Sequence, residues 1–130
     1  MGGFFQTIIL VGAGGAVGAG LRYASIVAAV TLFGAAFPWG TLFVNLAGSF
    51  VIGIAAALVR HLGDVTPAWQ AFLMPGLLGG FTTFSAFSLD IFTIIERGQN
   101  WAAAAYILAS VLGGLGALVA GFALVRGLSS

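Results

Sequence analysis

The sequence predicts an all-α integral membrane protein of four transmembrane helices, with the third helix broken near the bilayer midplane. Hydrophobic residues make up 61% of the chain and charged residues only 5%, whereas a soluble domain carries roughly 25% charged residues. Four apolar stretches alternate with short polar turns, and each approaches or exceeds the ~20 residues that cross the hydrocarbon core. The third stretch also contains a cluster of Pro and Gly, residues that interrupt helices. We interpret residues 1–130 as one domain.

The first predicted span, residues 5–32, carries Gly14 and Gly18 four positions apart. Small residues at this spacing let two helices approach closely, so the first helix should pack tightly against another. The second span is predicted at residues 41–58 and the fourth at residues 101–125, and both have a comparable face of small residues. Three tryptophans lie at span ends, as expected at a membrane surface: Trp39, Trp69 and Trp101.

The third predicted span, residues 68–95, contains Pro75, Gly76, Gly79 and Gly80. Within a bilayer, irregular backbone persists only where it is buried in protein or lines a wet cavity, so the break should be a functional site. The carbonyls that it frees would favour a cation. The half-helix after it would offer N–H groups and a positive dipole end to an anion. A kinked structural helix, with its carbonyls bonded to neighbouring helices, is the alternative interpretation.

The four arginines do not favour one orientation in the membrane. With four spans, Arg60 and Arg126 lie on one side, while Arg97 lies on the other and Arg22 lies toward that end of the first helix. Two basic residues on each side leave the positive-inside rule without a preference. We therefore predict dual topology, in which the chain inserts both ways and pairs as an antiparallel homodimer. A single topology set by the insertion machinery is the alternative.

Two phenylalanines on the half-helix after the break are candidates for contact with an anion. Phe84 and Phe87 are three residues apart and so share a helix face. Aromatic ring edges carry partial positive charge. Edges turned into a narrow path would attract an anion without the full charge of Lys or Arg, which would hold the ion too tightly to leave. Ordinary packing against lipid or core is the alternative for both rings.

Other polar side chains are few in the predicted spans. Asn45 is an amide in the second span, where its N–H donors would be costly to leave unpaired. They could meet an anion, and a structural hydrogen bond to a neighbouring helix is equally consistent. Tyr106 and Ser110 are one turn apart on the fourth helix and can both donate an O–H, although packing alone would also explain them. Asp90 lies about 12 Å beyond the break along a helix, which puts it near the interface. Asp90 would then either line a water-filled vestibule or simply extend its carboxylate to the water at the interface.

Composition excludes several classes of site. The chain has no cysteine and a single histidine, His61, so disulfides, thiolate metal sites and a multi-histidine site within one subunit are excluded. The formal net charge of +1 gives no indication of nucleic-acid binding. An intramembrane enzyme would need a catalytic or metal-binding set at depth, whereas His61 and Asp64 lie in a polar turn. We therefore predict a protein that is not an enzyme.

Three motifs occur in the order in which a known family has them. They are G-A-G-L-R-Y at residues 18–23, G-T-L-F-V-N-L-A-G-S-F at residues 40–50 and G-G-F-T-T-F-S-A-F-S at residues 79–88. With the four-span layout, they make the whole chain resemble the CrcB/Fluc fluoride channels. This resemblance implies a dual-topology antiparallel dimer in the cell inner (plasma) membrane, with lipid around it, two fluoride pores and a central structural sodium ion.

The resemblance also implies roles for individual residues. By position, the pore residues that would meet fluoride are Asn45, Phe84, Phe87, Ser85, Tyr106, Ser110, Thr41 and Asp90. The backbone carbonyls of Gly79 and Thr82 match the sodium ligands. The chain departs from the family pattern at Gly114, one turn beyond Ser110, where a hydroxyl is expected. Arg22 matches the family's Arg-Tyr pair, and we expect it to anchor the helix or to bias the vestibule toward anions.

The predicted function is therefore a fluoride-selective channel that lets cytoplasmic fluoride leave the cell passively. The main alternative is a small dual-topology multidrug exporter. Such exporters need a membrane-embedded carboxylate, usually on the first helix, and the first span here has no acidic residue. A structural or assembly protein is a third possibility.

Overall fold

The computed structural model describes residues 2–129, and the side chains of residues 3–128. The described chain is entirely helical apart from short connections. Four stretches are long and apolar enough to cross a membrane, which confirms the predicted all-α class and the number of spans. They are Gly3–Phe33, Trp39–Leu62, Pro67–Glu96 and Asn100–Leu128.

The first two spans are each a single helix. Helix α1 is Gly2–Phe33 and helix α2 is Trp39–Leu62. The predicted end of the second span, at residue 58, was too early because Arg60 and His61 continue the helix. Two basic residues in the last turn of a helix interact favourably with its dipole, so the helix extends past the apolar stretch. It ends at Gly63, whose φ of +72° is the left-handed conformation that glycine adopts readily.

The third span consists of four helical segments. Helix α3 is Pro67–Ala71, a π-helical segment follows at Phe72–Leu78, α4 is the single turn Gly79–Phe81, and α5 is Phe84–Glu96. Residues 82 and 83, which we call the Thr82–Thr83 pair, lie between α4 and α5 in extended conformation, with ψ of 159° and 124°. Helix α6, Asn100–Ser129, is the fourth span.

The Pro and Gly cluster of the third span is itself helical, contrary to the sequence-based expectation that these residues interrupt the helix. Pro75 lies inside the π-helical segment, and Gly79 and Gly80 lie in α4. A π-helical turn is wider than an α-helical one and so accommodates the proline ring and its missing N–H. Non-helical backbone occurs only after the glycines, at the Thr82–Thr83 pair.

Helix α1 packs directly against the backbone of the third span. A side chain at Gly14 would collide with the carbonyl of Phe72, and one at Gly18 would collide with the carbonyl of Leu77. The close approach expected from the spacing of Gly14 and Gly18 is thus made to the π-helical segment. This contact leaves no room for larger residues and holds the third span along its irregular part.

Helices α2 and α6 form the most extensive helix pair. Leu46 contacts Gly113, and Phe50, further along α2, contacts Gly121, further along α6. Because the contacts follow the same order along both helices, the two helices run parallel. Helices α2, α5 and the start of α6 share a small core of Leu42, Phe87, Ile94, Ala103 and Tyr106. Most other large apolar side chains are exposed on the subunit, as expected of a protein whose surroundings are lipid rather than water.

Candidate functional site

The Thr82–Thr83 pair is held by the amide of Asn45. The Thr83 N–H donates to Asn45 Oδ1 over 2.8 Å, and Asn45 Nδ2 donates to the Thr83 carbonyl over 3.0 Å. The side-chain amide thus bonds both polar groups of one residue, as a neighbouring strand would. Thr83 also caps α5, since its Oγ1 accepts from the Ala86 N–H over 3.1 Å.

These bonds leave two carbonyls without their regular donors. In a continuous α-helix the Thr83 N–H would bond the Gly79 carbonyl, and the Ala86 N–H would bond the Thr82 carbonyl. Both N–H groups instead donate to side chains, of Asn45 and Thr83 respectively. The carbonyls of Gly79 and Thr82 are therefore free of helical bonds. These are the two groups that the resemblance implies as sodium ligands.

Arg22 binds the third span from α1. Its Nε donates to the Gly80 carbonyl over 3.0 Å in a partly buried position. The regular helical donor to that carbonyl would be the N–H of Phe84, the first residue of α5. Arg22 therefore replaces a lost backbone bond next to the Thr82–Thr83 pair, which is an anchoring contact. Sequence reasoning left its role open because the partner is 58 residues away.

An open pocket of about 380 Å³ lies beside the Thr82–Thr83 pair. It brings together six residues of the predicted site, contributed by α2, the third span and α6: Asn45, Gly79, Thr82, Phe84, Phe87 and Ser110. Ser85 is outside it, exposed, with its Oγ 3.4 Å from Thr83 Oγ1. The pocket contains amide and hydroxyl groups together with phenyl rings and no Lys or Arg side chain.

The two phenylalanines are neighbours but differ in exposure. Their ring centroids are 5.8 Å apart with planes tilted by 54°. Phe87 is 8% exposed and packs against the ring of Tyr106 at 5.1 Å, whereas Phe84 is 79% exposed. Phe87 is thus part of the core of the subunit. Phe84 projects from the surface of the subunit, so its ring is accessible to another molecule.

A second polar cluster lies toward the start of α2. The Tyr106 hydroxyl donates to Asp90 Oδ2 over 2.8 Å, and Thr41 is buried close to both. Thr41 and Asp90 line an open pocket of about 170 Å³ that Arg97 also borders. Tyr106 was predicted to share a role with Ser110 as an anion donor, but here its proton is engaged by the carboxylate of Asp90.

Ser110 and Ser49 complete the polar groups of the larger pocket. The Ser110 hydroxyl is buried and has no hydrogen-bond partner among the described residues. A side chain at Gly114, one turn further, would begin 3.6 Å from the hydroxyl of Ser49 on α2. Ser49 belongs to the face of small residues that the sequence predicts on the second span. Its position one turn after Asn45 is the signal that could have marked it as polar lining.

The whole of this arrangement falls within residues 9–122, which match the model of the family described as CrcB-like protein, Camphor Resistance (CrcB). This chain belongs to the CrcB family. It is 51% identical over 119 residues to the fluoride-specific ion channel FluC of Rhizobium meliloti (strain 1021), covering 92% of this chain and 95% of that one. It is 50% identical over 121 residues to the FluC of Rhodospirillum centenum (strain ATCC 51521 / SW), covering 93% and 96%. Both CrcB relatives are named as ion channels rather than enzymes.

Proposed function

We propose that this CrcB protein is a fluoride-selective channel that lets cytoplasmic fluoride leave the cell down its gradient. The observation that carries the proposal is the identity of about half of the aligned residues, over more than nine tenths of the chain, to proteins named fluoride-specific ion channels. The multidrug exporter has less support, because the acidic residue of the predicted site, Asp90, accepts a hydrogen bond from Tyr106, and the first span has no acidic residue.

The larger pocket offers what a small dehydrated anion needs. The Asn45 amide has two N–H donors, and only one of them is used by the Thr83 carbonyl. The Ser110 hydroxyl is unpaired within the described part of the subunit. These donors, with the edges of Phe84 and Phe87, replace water around fluoride without a full positive charge that would trap it. Thr41, Tyr106 and Asp90 form a second polar cluster, beside the smaller pocket, which we place at one end of the same path.

Two copies in antiparallel orientation would complete the channel. The larger pocket is open at the surface of one subunit, although it contains amide, hydroxyl and backbone polar groups. Such groups are costly to leave facing lipid, so something must cover them. A second copy related by a two-fold axis in the membrane plane would do so near the midplane and would meet the exposed Phe84. The balanced arginines support insertion in both directions, and each dimer would have two pores.

A central sodium ion fits the free carbonyls. Gly79 and Thr82 each have a carbonyl without its regular helical donor. An antiparallel dimer would contribute two such oxygens from each subunit, and Na⁺ binds oxygen ligands of this kind where transporter helices unwind. The ion would supply positive charge that satisfies these carbonyls together. Ser85, exposed near the same residues, would lie at the subunit junction beside them.

Fluoride efflux from proteoliposomes tests the proposed function. The purified protein is reconstituted into liposomes loaded with potassium fluoride, and a fluoride electrode follows release after a potassium ionophore is added. We expect rapid release that protein-free liposomes do not show, and little release in matched chloride-loaded vesicles followed with a chloride electrode. Equal release of both halides, or no fluoride release above the protein-free level, would contradict the proposal.

A further inference from the structure

Polar residues on α2 and α6 form matched steps, of which Asn45, Ser49 and Ser110 line the larger pocket. Thr41, Asn45 and Ser49 lie four residues apart and share one face of α2. On α6, Tyr106 and Ser110 have the same spacing, and Gly114 is the next position. The two helices run parallel, Asn45 and Ser110 line the same pocket, and Ser49 lies beside Gly114.

The third step lacks a side chain on α6 but has one on α2. Gly114 has no Cβ, and an added one would lie 3.6 Å from the Ser49 hydroxyl, which is ordinary van der Waals contact. Ser49 lines the same pocket as Asn45 and Ser110. The hydroxyl of Ser49 therefore lies beside the position that a residue-114 side chain would occupy.

The Ser49 hydroxyl differs from most other hydroxyls of the spans. Six Ser and Thr side chains donate to the carbonyl four residues earlier, at 2.7–3.0 Å: Thr7, Ser25, Thr31, Thr82, Ser88 and Thr93. Ser49 makes no such bond, nor any other side-chain bond, within the described part of the chain. A hydroxyl left unpaired in an apolar environment is costly, so its donor is available to something in the pocket.

We propose that Ser49 is a further fluoride-binding residue, which supplies from α2 the hydroxyl that α6 lacks at Gly114. The inference rests on the proposed fluoride channel and extends its path by one helical turn beyond Asn45. A hydroxyl hydrogen bond to an anion is charge-assisted and therefore strong. Ser49 and Ser110 together give a fluoride ion two unpaired hydroxyl donors after it leaves the amide.

A swap of the hydroxyl between the two helices tests this role. Ser49→Ala should lower fluoride efflux about tenfold, the loss expected for one hydrogen bond to an ion. Adding Gly114→Ser to Ser49→Ala should restore most of the efflux, because the hydroxyl returns to the same place from the opposite helix. Adding Gly114→Ala instead should not restore it. Ser25→Ala is the matched control, since the Ser25 hydroxyl on α1 makes an exposed hydrogen bond, which it donates to the Leu21 carbonyl.

Each result separates the Ser49 role from the channel function itself. Efflux by Ser49→Ala equal to the unaltered protein and to Ser25→Ala would overturn the role of Ser49 and leave the channel standing. Equal rescue by Gly114→Ala and Gly114→Ser would overturn it too, because volume rather than a hydroxyl would then be what matters. If the unaltered protein released no fluoride, both proposals would fall. Size-exclusion chromatography of each variant confirms that it is folded before efflux is compared.

Discussion

Asn45 bonds both the N–H and the carbonyl of Thr83, at 2.8 Å and 3.0 Å. A single amide on α2 thereby holds the one non-helical residue pair within the third span. It also accepts the bond from the Thr83 N–H, which in a continuous helix would be donated to the Gly79 carbonyl. The same side chain keeps a second N–H donor for the larger pocket. Asn45 thus positions the backbone of the third span and also lines the proposed fluoride path.

Replacing Asn45 should therefore impair stability and transport together. Asn45→Ala removes two hydrogen bonds and leaves the polar groups of Thr83 unpaired, which should cost about 2–4 kcal/mol of stability. Fluoride efflux should fall at least about tenfold. Thermal unfolding in detergent and the liposome assay measure the two effects. Gln99→Ala, which removes an exposed amide in the turn before α6, should change neither. A stable Asn45→Ala variant with normal efflux would show that the amide is dispensable.

Arg22 should matter for stability through the Gly80 carbonyl. Arg22→Gln removes a charge-assisted hydrogen bond in a partly buried position and should lower the stability of the folded protein by about 1.5–3 kcal/mol. Arg60→Gln removes one charge as well, together with a contact of its guanidinium over the Phe122 ring, and should cost less, about 0.5–1 kcal/mol. Thermal unfolding in detergent compares the two. Equal losses would mean that the bond to Gly80 contributes nothing beyond the charge.

The two phenylalanines should separate packing from transport. Phe87 is 8% exposed, so Phe87→Ile should lose roughly 1–3 kcal/mol of stability as well as fluoride efflux. Phe84 is 79% exposed on the subunit, so Phe84→Ile should leave the fold of the subunit intact. Its efflux should nevertheless fall about tenfold or more, because a ring edge is lost from the path. Undiminished efflux in both variants, measured in liposomes, would remove the rings from the mechanism.

The number and class of spans were predictable because hydropathy sums over some twenty residues and tolerates local errors. The course of the third span was not. Pro75 stays helical in a widened turn, against which α1 packs through Gly14 and Gly18, and no local pattern reports such a distant contact. The bonds of Arg22 and Asn45 likewise join residues 58 and 38 positions apart. The residue types of the site were visible in the sequence, but their partners were not.

Orientation in the cell membrane tests the antiparallel dimer. The chain has no cysteine, so Gly3→Cys introduces a single thiol at an exposed position near the start of α1. A membrane-impermeant thiol reagent should label about half of the molecules in intact cells if the chain inserts both ways. Labelling should become complete once the membrane is permeabilised. Uniform labelling, or uniform protection, in intact cells would rule out dual topology.

Selective passage of fluoride can be measured as the reversal potential of the current through a planar lipid bilayer that contains the protein. With equal chloride on both sides and a fluoride gradient across the membrane, current should reverse at the potential set by fluoride alone. The reversal potential should shift with each change in the fluoride gradient and should not shift when the chloride gradient is changed. A reversal potential that follows chloride as closely as fluoride would show that the protein is not a fluoride-selective channel.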